Sequence, residues 1–295
     1  MTPTRKRKPA RASTARPAPR TTHGLRRLLI AVFTAGVVAL QATSCATPPG
    51  AGPAQARPPA SPSTSTSTPT SAATPGAFAS CPQHFAGGVA PVTPAAPSLR
   101  ALCFDAFAVL HSGATRTPVY VAERLNRRTL QAGDGLKRTD RFYADARLPR
   151  GERAELADYK GSGWSRGHMA PAGDMGTPET MAQSFSLANM VPQDPKQNSG
   201  PWAKIEEDTR RYVMRARGDV YVITGPVFAP GAQRIGPGGV AVPSHLFKLV
   251  FDPATGKRWA HWQQNAPTAQ VGRPISYAEL VQRTGMQLLP GERPD

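Results

Sequence analysis

The first 80 residues of this 295-residue chain contain no Asp or Glu, and a long part of them cannot build a core. From residue 46 to about 79 nearly every position is Pro, Ala, Gly, Ser or Thr, including Ser61-Pro62-Ser63-Thr64-Ser65-Thr66-Ser67-Thr68. Such a stretch buries too little apolar surface to offset its ordering entropy, so 46–79 reads as a disordered tether. What folds must lie between about Cys81 and Pro290, long enough for a single core. We assign one domain, 80–295. The same boundary redistributes the charge: ten Lys and Arg precede residue 81, so the formal net charge of +17 falls to +7 over 81–295. That balance favours an anionic partner without identifying one, since a basic surface also serves solubility.

Residues 1–45 read as an address. A basic segment from Arg5 to Arg27 precedes an apolar run over 28–40 in which only Thr34 is polar. The run is short of the roughly 20 residues that span a bilayer and suits the apolar region of a secretory signal. Ala42-Thr43-Ser44-Cys45 places small residues before a Cys, as at a bacterial lipoprotein processing site. Lipidation of Cys45 is expected, with ordinary cleavage near residues 42–46 as the alternative. The expected location is therefore the bacterial periplasm or a lipid anchor, with membrane contact only through signal or lipid. Cys81 and Cys103 then remain as a pair, expected to form a disulfide in an oxidising compartment and to stabilise by about 3 kcal/mol in the chain-entropy model.

Within the domain, residues 119–125, 220–224, 246–251 and 258–263 have the β-branched and aromatic content of strands. Thr177-Pro178-Glu179 opens a helix through 181–187. A second helix is expected over 201–217 with Gly218 as its stop, and a third over 276–284 ending at Gly285. Helices and strands do not alternate regularly, which predicts a mixed α+β domain rather than a doubly wound sheet.

Two clusters carry chemistry. In Trp164-Ser165-Arg166-Gly167-His168-Met169-Ala170-Pro171, one His stands in a Gly- and Pro-rich segment. An imidazole is a natural base near neutral pH, although a lone His is more often packed or superficial. Downstream come Asn189-Met190-Val191-Pro192-Gln193, then Asn198, Trp202 and Glu206. The last three share a face if the helix extends back to Asn198. Their oxygens suit a hard cation such as Mg²⁺; capping, core packing and a solvated acid explain the spacing as well.

Together these clusters resemble the DNA/RNA non-specific endonuclease family. The resemblance also takes in Arg138-Thr139-Asp140-Arg141-Phe142, Val222-Ile223-Thr224-Gly225-Pro226 and Val242-Pro243-Ser244-His245-Leu246-Phe247-Lys248. It implies a mainly antiparallel sheet core with a ββα-metal motif, and cleavage of DNA and RNA to 5′-phosphate ends. It also implies Mg²⁺ as cofactor, with Mn²⁺ as a substitute, and suggests a homodimer. By the same resemblance His168 is the general base and Asn198 the single direct metal ligand. Glu206 holds a metal-bound water, Asn189 orients the site, and Arg138, with Arg141 as fallback, stabilises the pentacovalent phosphate. Arg166 and Arg141 are the expected substrate contacts. One position departs from the pattern: Ser165 stands where the family usually has Asp, which bears on activity or metal preference.

Two other readings compete. Gly163-Trp164-Ser165-Arg166-Gly167 satisfies G-x-S-x-G, which would make Ser165 a hydrolase nucleophile, but the flanks lack the strand before and helix after that this elbow needs. A non-catalytic nucleic-acid-binding lipoprotein fits the charge and leaves the joint spacing of His168, Asn189, Asn198 and Glu206 unexplained.

Overall fold

A computed structural model of the chain describes residues 76–290. The expected signal, Cys45 and residues 46–75 of the expected tether lie outside them. The folded region begins earlier than composition predicts. Residues 76–80 form a turn, and Phe78 is buried against Phe85 and Tyr120, with ring centroids 5.0 and 6.3 Å away. One aromatic ring in an otherwise small-residue stretch is enough to anchor it to the core.

Strands β1 (Leu99–Cys103), β2 (Phe107–Ser112) and β3 (Thr117–Leu125) form a meander. The chain then leaves the sheet through α1 (Arg127–Ala132), α2 (Leu156–Tyr159), β4 (Ser165–His168), α3 (Pro178–Ser184), β5 (Met190–Gln193), α4 (Pro195–Gln197) and α5 (Ala203–Val213). It returns as β6 (Val220–Val227), and after the short β7 (Arg234–Ile235) and β8 (Val240–Ala241) adds β9 (His245–Asp252) and β10 (Lys257–Gln264), then α6 (Tyr277–Thr284). The six-stranded sheet runs β1-β2-β3-β6-β9-β10, antiparallel throughout. The mixed α+β fold expected from the sequence is the fold observed.

Both faces of the sheet are covered, so its central strands are buried almost end to end instead of alternating. On one face Tyr120, Ala122, Phe247 and Leu249 pack with Tyr277 and Leu280 of α6. On the other, Phe107, Val109, Val121 and Leu246 meet Met169, Phe185, Trp202 and Ile205 from the β3–β6 insertion. That insertion contains an antiparallel β4–β5 pair followed by α5, a ββα unit laid on the sheet.

The four strands expected from composition are all present, each longer by two or three residues. α6 has the expected punctuation: Ser276 Oγ accepts from Glu279 N at 3.1 Å, and Gly285 ends it at φ 67°. Two helices are shorter than expected. α3 stops at Ser184, because the next residues turn to bring Leu187 N onto Tyr143 O at 2.8 Å. α5 ends at Val213 rather than Arg217, where Arg127 Nε donates to the Met214 carbonyl at 2.8 Å and satisfies the helix end. The Cys81–Cys103 disulfide is formed and ties the turn after Phe78 to the edge strand β1.

Candidate active site

β4 and β5 pair in the register Ser165↔Gln193, Arg166↔Pro192, Gly167↔Val191, His168↔Met190. Ser165 opens a strand and is not on a strand-to-helix elbow, so the hydrolase reading has no geometry here. Gly167 is required by contact. A Cβ built there would stand 1.8 Å from Gln193 Oε1 and 2.6 Å from Gln193 Cβ. Gly167→Ala is therefore expected to lose at least about 1–3 kcal/mol of stability, the usual cost of overpacking, as urea denaturation would show; wild-type stability would mean the strand pair gives way freely.

Arg166 and His168 are two apart on β4 and so share a face. His168 is 8 % exposed. Its ring meets Phe185 edge-on at 5.0 Å and lies 5.8 Å from Phe142, and its Nε2 has no hydrogen-bond partner. Burial, reinforced by the Arg138 guanidinium and opposed by Asp140, draws its pKa down to about 3. At neutral pH the imidazole is uncharged and one nitrogen is free to accept a proton, the state a general base needs.

The loop after β4 is held by Asn189. This fully buried amide accepts from Ala170 N and donates to Ala170 O and Ser184 O, each at 2.9 Å. Both of its N–H donors are spent on backbone carbonyls, so none is left for another partner.

Beside β4 opens a cleft of about 620 Å³ lined by Arg138, Phe142, Tyr159, Trp164, Arg166 and Asn198, with Leu156, Lys160 and Ser165 completing the wall. Arg138 lies 5.0 Å above the Phe185 ring and pairs with Asp140 at 2.6 Å; Arg166 lies 4.1 Å above Phe142. Arg141 is exposed and does not line the cleft, so of the two candidate arginines only Arg138 is placed there. Asn198 heads a π turn, Asn198–Trp202, that joins α4 to α5 and contains Pro201. The helical path thus does reach back to Asn198, through one widened turn of a kind common at functional sites. Among the described residues nothing hydrogen-bonds the side-chain amide of Asn198.

Glu206 is two turns further on, half-buried and outside the cleft lining. Burial pushes its carboxyl up to about 7, against the pull of Lys248 and Arg210 and with the push of Asp174. The Trp202 indole N–H is near enough to lower it slightly but is not aligned as a hydrogen bond. Sequence reading missed the groups behind it. Glu123, on β3, is completely buried, neither carboxyl oxygen has a partner, and burial with the Asp174 charge holds it well above the usual carboxylate range. Lys248 is 1 % exposed and bonds Thr224 Oγ1 at 2.8 Å; Arg210 bonds Asp174 at 2.9 Å. Sheet register explains the grouping: Val121, Thr224 and Lys248 lie in one row and Glu123 in the next, on the face that α5 covers. The signal available in sequence was a lone Glu and a lone Lys inside otherwise apolar strands.

Among the described residues no three His, Cys, Asp or Glu side chains converge as a cage. An amide oxygen without a protein partner, in a cleft, with an acid two turns along the same helix, fits a hard, largely hydrated ion that takes few protein ligands.

The family model for DNA/RNA non-specific endonucleases matches residues 87–292. Nuclease EXOG, mitochondrial, of Homo sapiens is 39 % identical over 162 residues, covering 51 % of this chain and 44 % of that protein. Endonuclease G, mitochondrial, of Homo sapiens is 35 % identical over 182 residues, covering 58 % and 61 %. Nuclease C1 of Cunninghamella echinulata var. echinulata is 36 % identical over 169 residues, covering 53 % and 67 %. This chain matches about half the length of the mitochondrial EXOG nucleases. A solved EndoG/EndoGI complex superposes with TM-score 0.62 at 22 % identity, covering 75 % of this chain and 95 % of that one, a likeness of fold. These findings correct the expected localisation. The named relatives include mitochondrial nucleases of animals and of Schizosaccharomyces pombe, which overturns the assignment to a bacterial periplasm or lipid anchor. The error came from reading a basic-then-apolar N-terminus by its composition alone.

Proposed function

The chain belongs to the DNA/RNA non-specific endonuclease family, and from that premise we propose that it hydrolyses phosphodiester bonds of DNA and RNA without sequence preference, leaving 5′-phosphates. The observation that carries the reading is the shared cleft. Arg138, Arg166 and Asn198 line it, with a neutral, unpartnered His168 on the same strand face as Arg166.

We assign the roles as follows. His168 takes the proton of the attacking water. The Arg138 guanidinium stabilises the charge that grows on the pentacovalent phosphate, and Arg166 binds a neighbouring phosphate. Asn198 would hold Mg²⁺ or Mn²⁺ through its amide oxygen, and Glu206 would orient water beside it. Such an ion, when bound, polarises the phosphate as a Lewis acid and neutralises charge in the transition state. Asn189 keeps the strand pair and following loop in register. Recognition is of the phosphate backbone, which carries no sequence information, hence indifference to base order.

The deciding experiment is digestion of plasmid DNA and of RNA with Mg²⁺, Mn²⁺, Ca²⁺ or chelator. Retention of plasmid without nicking would favour a binding module over a nuclease. Asn198→Ala should shift half-saturation by Mg²⁺ upward by more than about tenfold, the lower end of what loss of even an outer partner costs. An unchanged titration would remove Asn198 as ligand.

A further inference from the structure

Two buried amides at the far end of β10 hold the segment that carries Asn198. Asn265 accepts at Oδ1 from Asp194 N at 2.8 Å, and its Nδ2 donates to Pro192 O at 3.0 Å and Pro243 O at 2.9 Å. Asp194 in turn accepts, at its backbone oxygen, the N–H of Asn198 at 2.8 Å. Gln263 donates through Nε2 to Gln270 O at 3.2 Å and accepts from Gln197 Nε2 at 2.5 Å; Gln197 accepts from Gln193 Nε2 at 2.6 Å.

The direction of this amide chain is dictated from one end. A backbone carbonyl can only accept, so Gln270 O requires the NH₂ of Gln263. The Gln263 oxygen is then left for Gln197, and the Gln197 oxygen for Gln193. The last oxygen, Gln193 Oε1, is buried without a partner against Gly167 of β4. One polarised path therefore runs from the loop after β10, through Gln197 of α4, to Gln193 of β5, which abuts the strand that bears His168. A second runs from Asn265 through Asp194 to the Asn198 backbone. The first passes through Gln197, next to Asn198, and the second ends at Asn198 itself. The π turn that Asn198 opens has no side-chain cap of its own, so its position is inherited from these contacts.

We propose that Gln263 and Asn265 are positioning residues for the divalent-cation site: from β10 they fix where the Asn198 amide oxygen stands in the cleft, and thereby how tightly the cation is held. This rests on Asn198 being the ligand. A role limited to gluing β10 to the strand pair would change stability and leave cation affinity of the folded protein alone.

The test is calorimetric titration of Mn²⁺ alone into the full chain, without nucleic acid, for wild type, Gln263→Met, Asn265→Ala and Asn198→Ala, with thermal melts of each. Gln263→Met keeps side-chain length and removes the amide; Asn265→Ala severs the second path if the first variant does not fold. The expected result is a Kd for Mn²⁺ raised on the order of tenfold in either variant, as for partners that orient a metal ligand. A lowered melting temperature with wild-type Kd in the folded variants would overturn the proposal. If Asn198→Ala itself leaves Kd unchanged, the ligand assignment beneath it fails. If Asn198→Ala weakens binding and neither β10 variant does, only the present inference fails.

Discussion

Replacing His168 by Ala is expected to lower kcat by about 10²–10⁴, the range a positioned general base contributes, while the circular dichroism spectrum stays that of the folded protein. The ring is held by Phe185 and Phe142 and not by a hydrogen bond at Nε2. Its removal therefore costs packing and leaves no orphaned polar partner there. A variant that cuts at the wild-type rate would withdraw the assignment of the base. The same substitution has a second readout. With its pKa drawn down to about 3, His168 is a base that binds its proton less well folded than unfolded. Its contribution to stability is full above about pH 6.5, the unfolded value. It is lost as pH falls from there toward 3. His168→Ala should thus lose less stability than wild type between pH 7 and pH 4, measured by urea midpoints across that range. Parallel pH slopes would show that the imidazole is solvated in the folded state.

Lys248→Met should be the most destabilising single change near the site, by about 3–5 kcal/mol at pH 8, the cost of taking one partner from a buried charge group. Lys248 is 1 % exposed and its ammonium hydrogen-bonds a neutral hydroxyl, Thr224 Oγ1. The acids it faces are Glu123 and Glu206, whose pKa values it draws down at a distance. Without it, Arg210 alone faces three acids. The sign with pH follows from Glu206, whose pKa of about 7 exceeds the unfolded value. Protonation favours the folded state, so the penalty should shrink toward pH 5.5 and grow toward pH 8. Glu123→Gln in the same background should restore part of the loss. Denaturation of the single and double variants at both pH values checks this, and a loss independent of pH would show that Lys248 serves packing alone.

How far the sequence could be read depended on the range of the interaction involved. The Ser276 and Gly285 ends of α6 and the Thr177-Pro178 start of α3 were legible because caps act within one turn of chain. β1 carries no such local signal: it mixes Arg100 with Ala and Leu, and its strand state is decided by pairing with β2. Ser165 and Arg141 show the same limit at the site. A motif named both, but only the folded chain put Ser165 in a strand and Arg141 outside the cleft.

By itself the sequence determined the strand and helix segments with local signals and the family, through the spacing of His168, Asn189, Asn198 and Glu206. Tertiary structure alone decided that Phe78 belongs to the core, that Glu123 and Lys248 are buried close to Glu206, and that amides at the end of β10 hold the segment before Asn198. The division has one cause. Capping and strand propensity are set by residues a few positions apart, whereas desolvation and buried hydrogen bonds arise between groups that only sheet register and helix packing bring together.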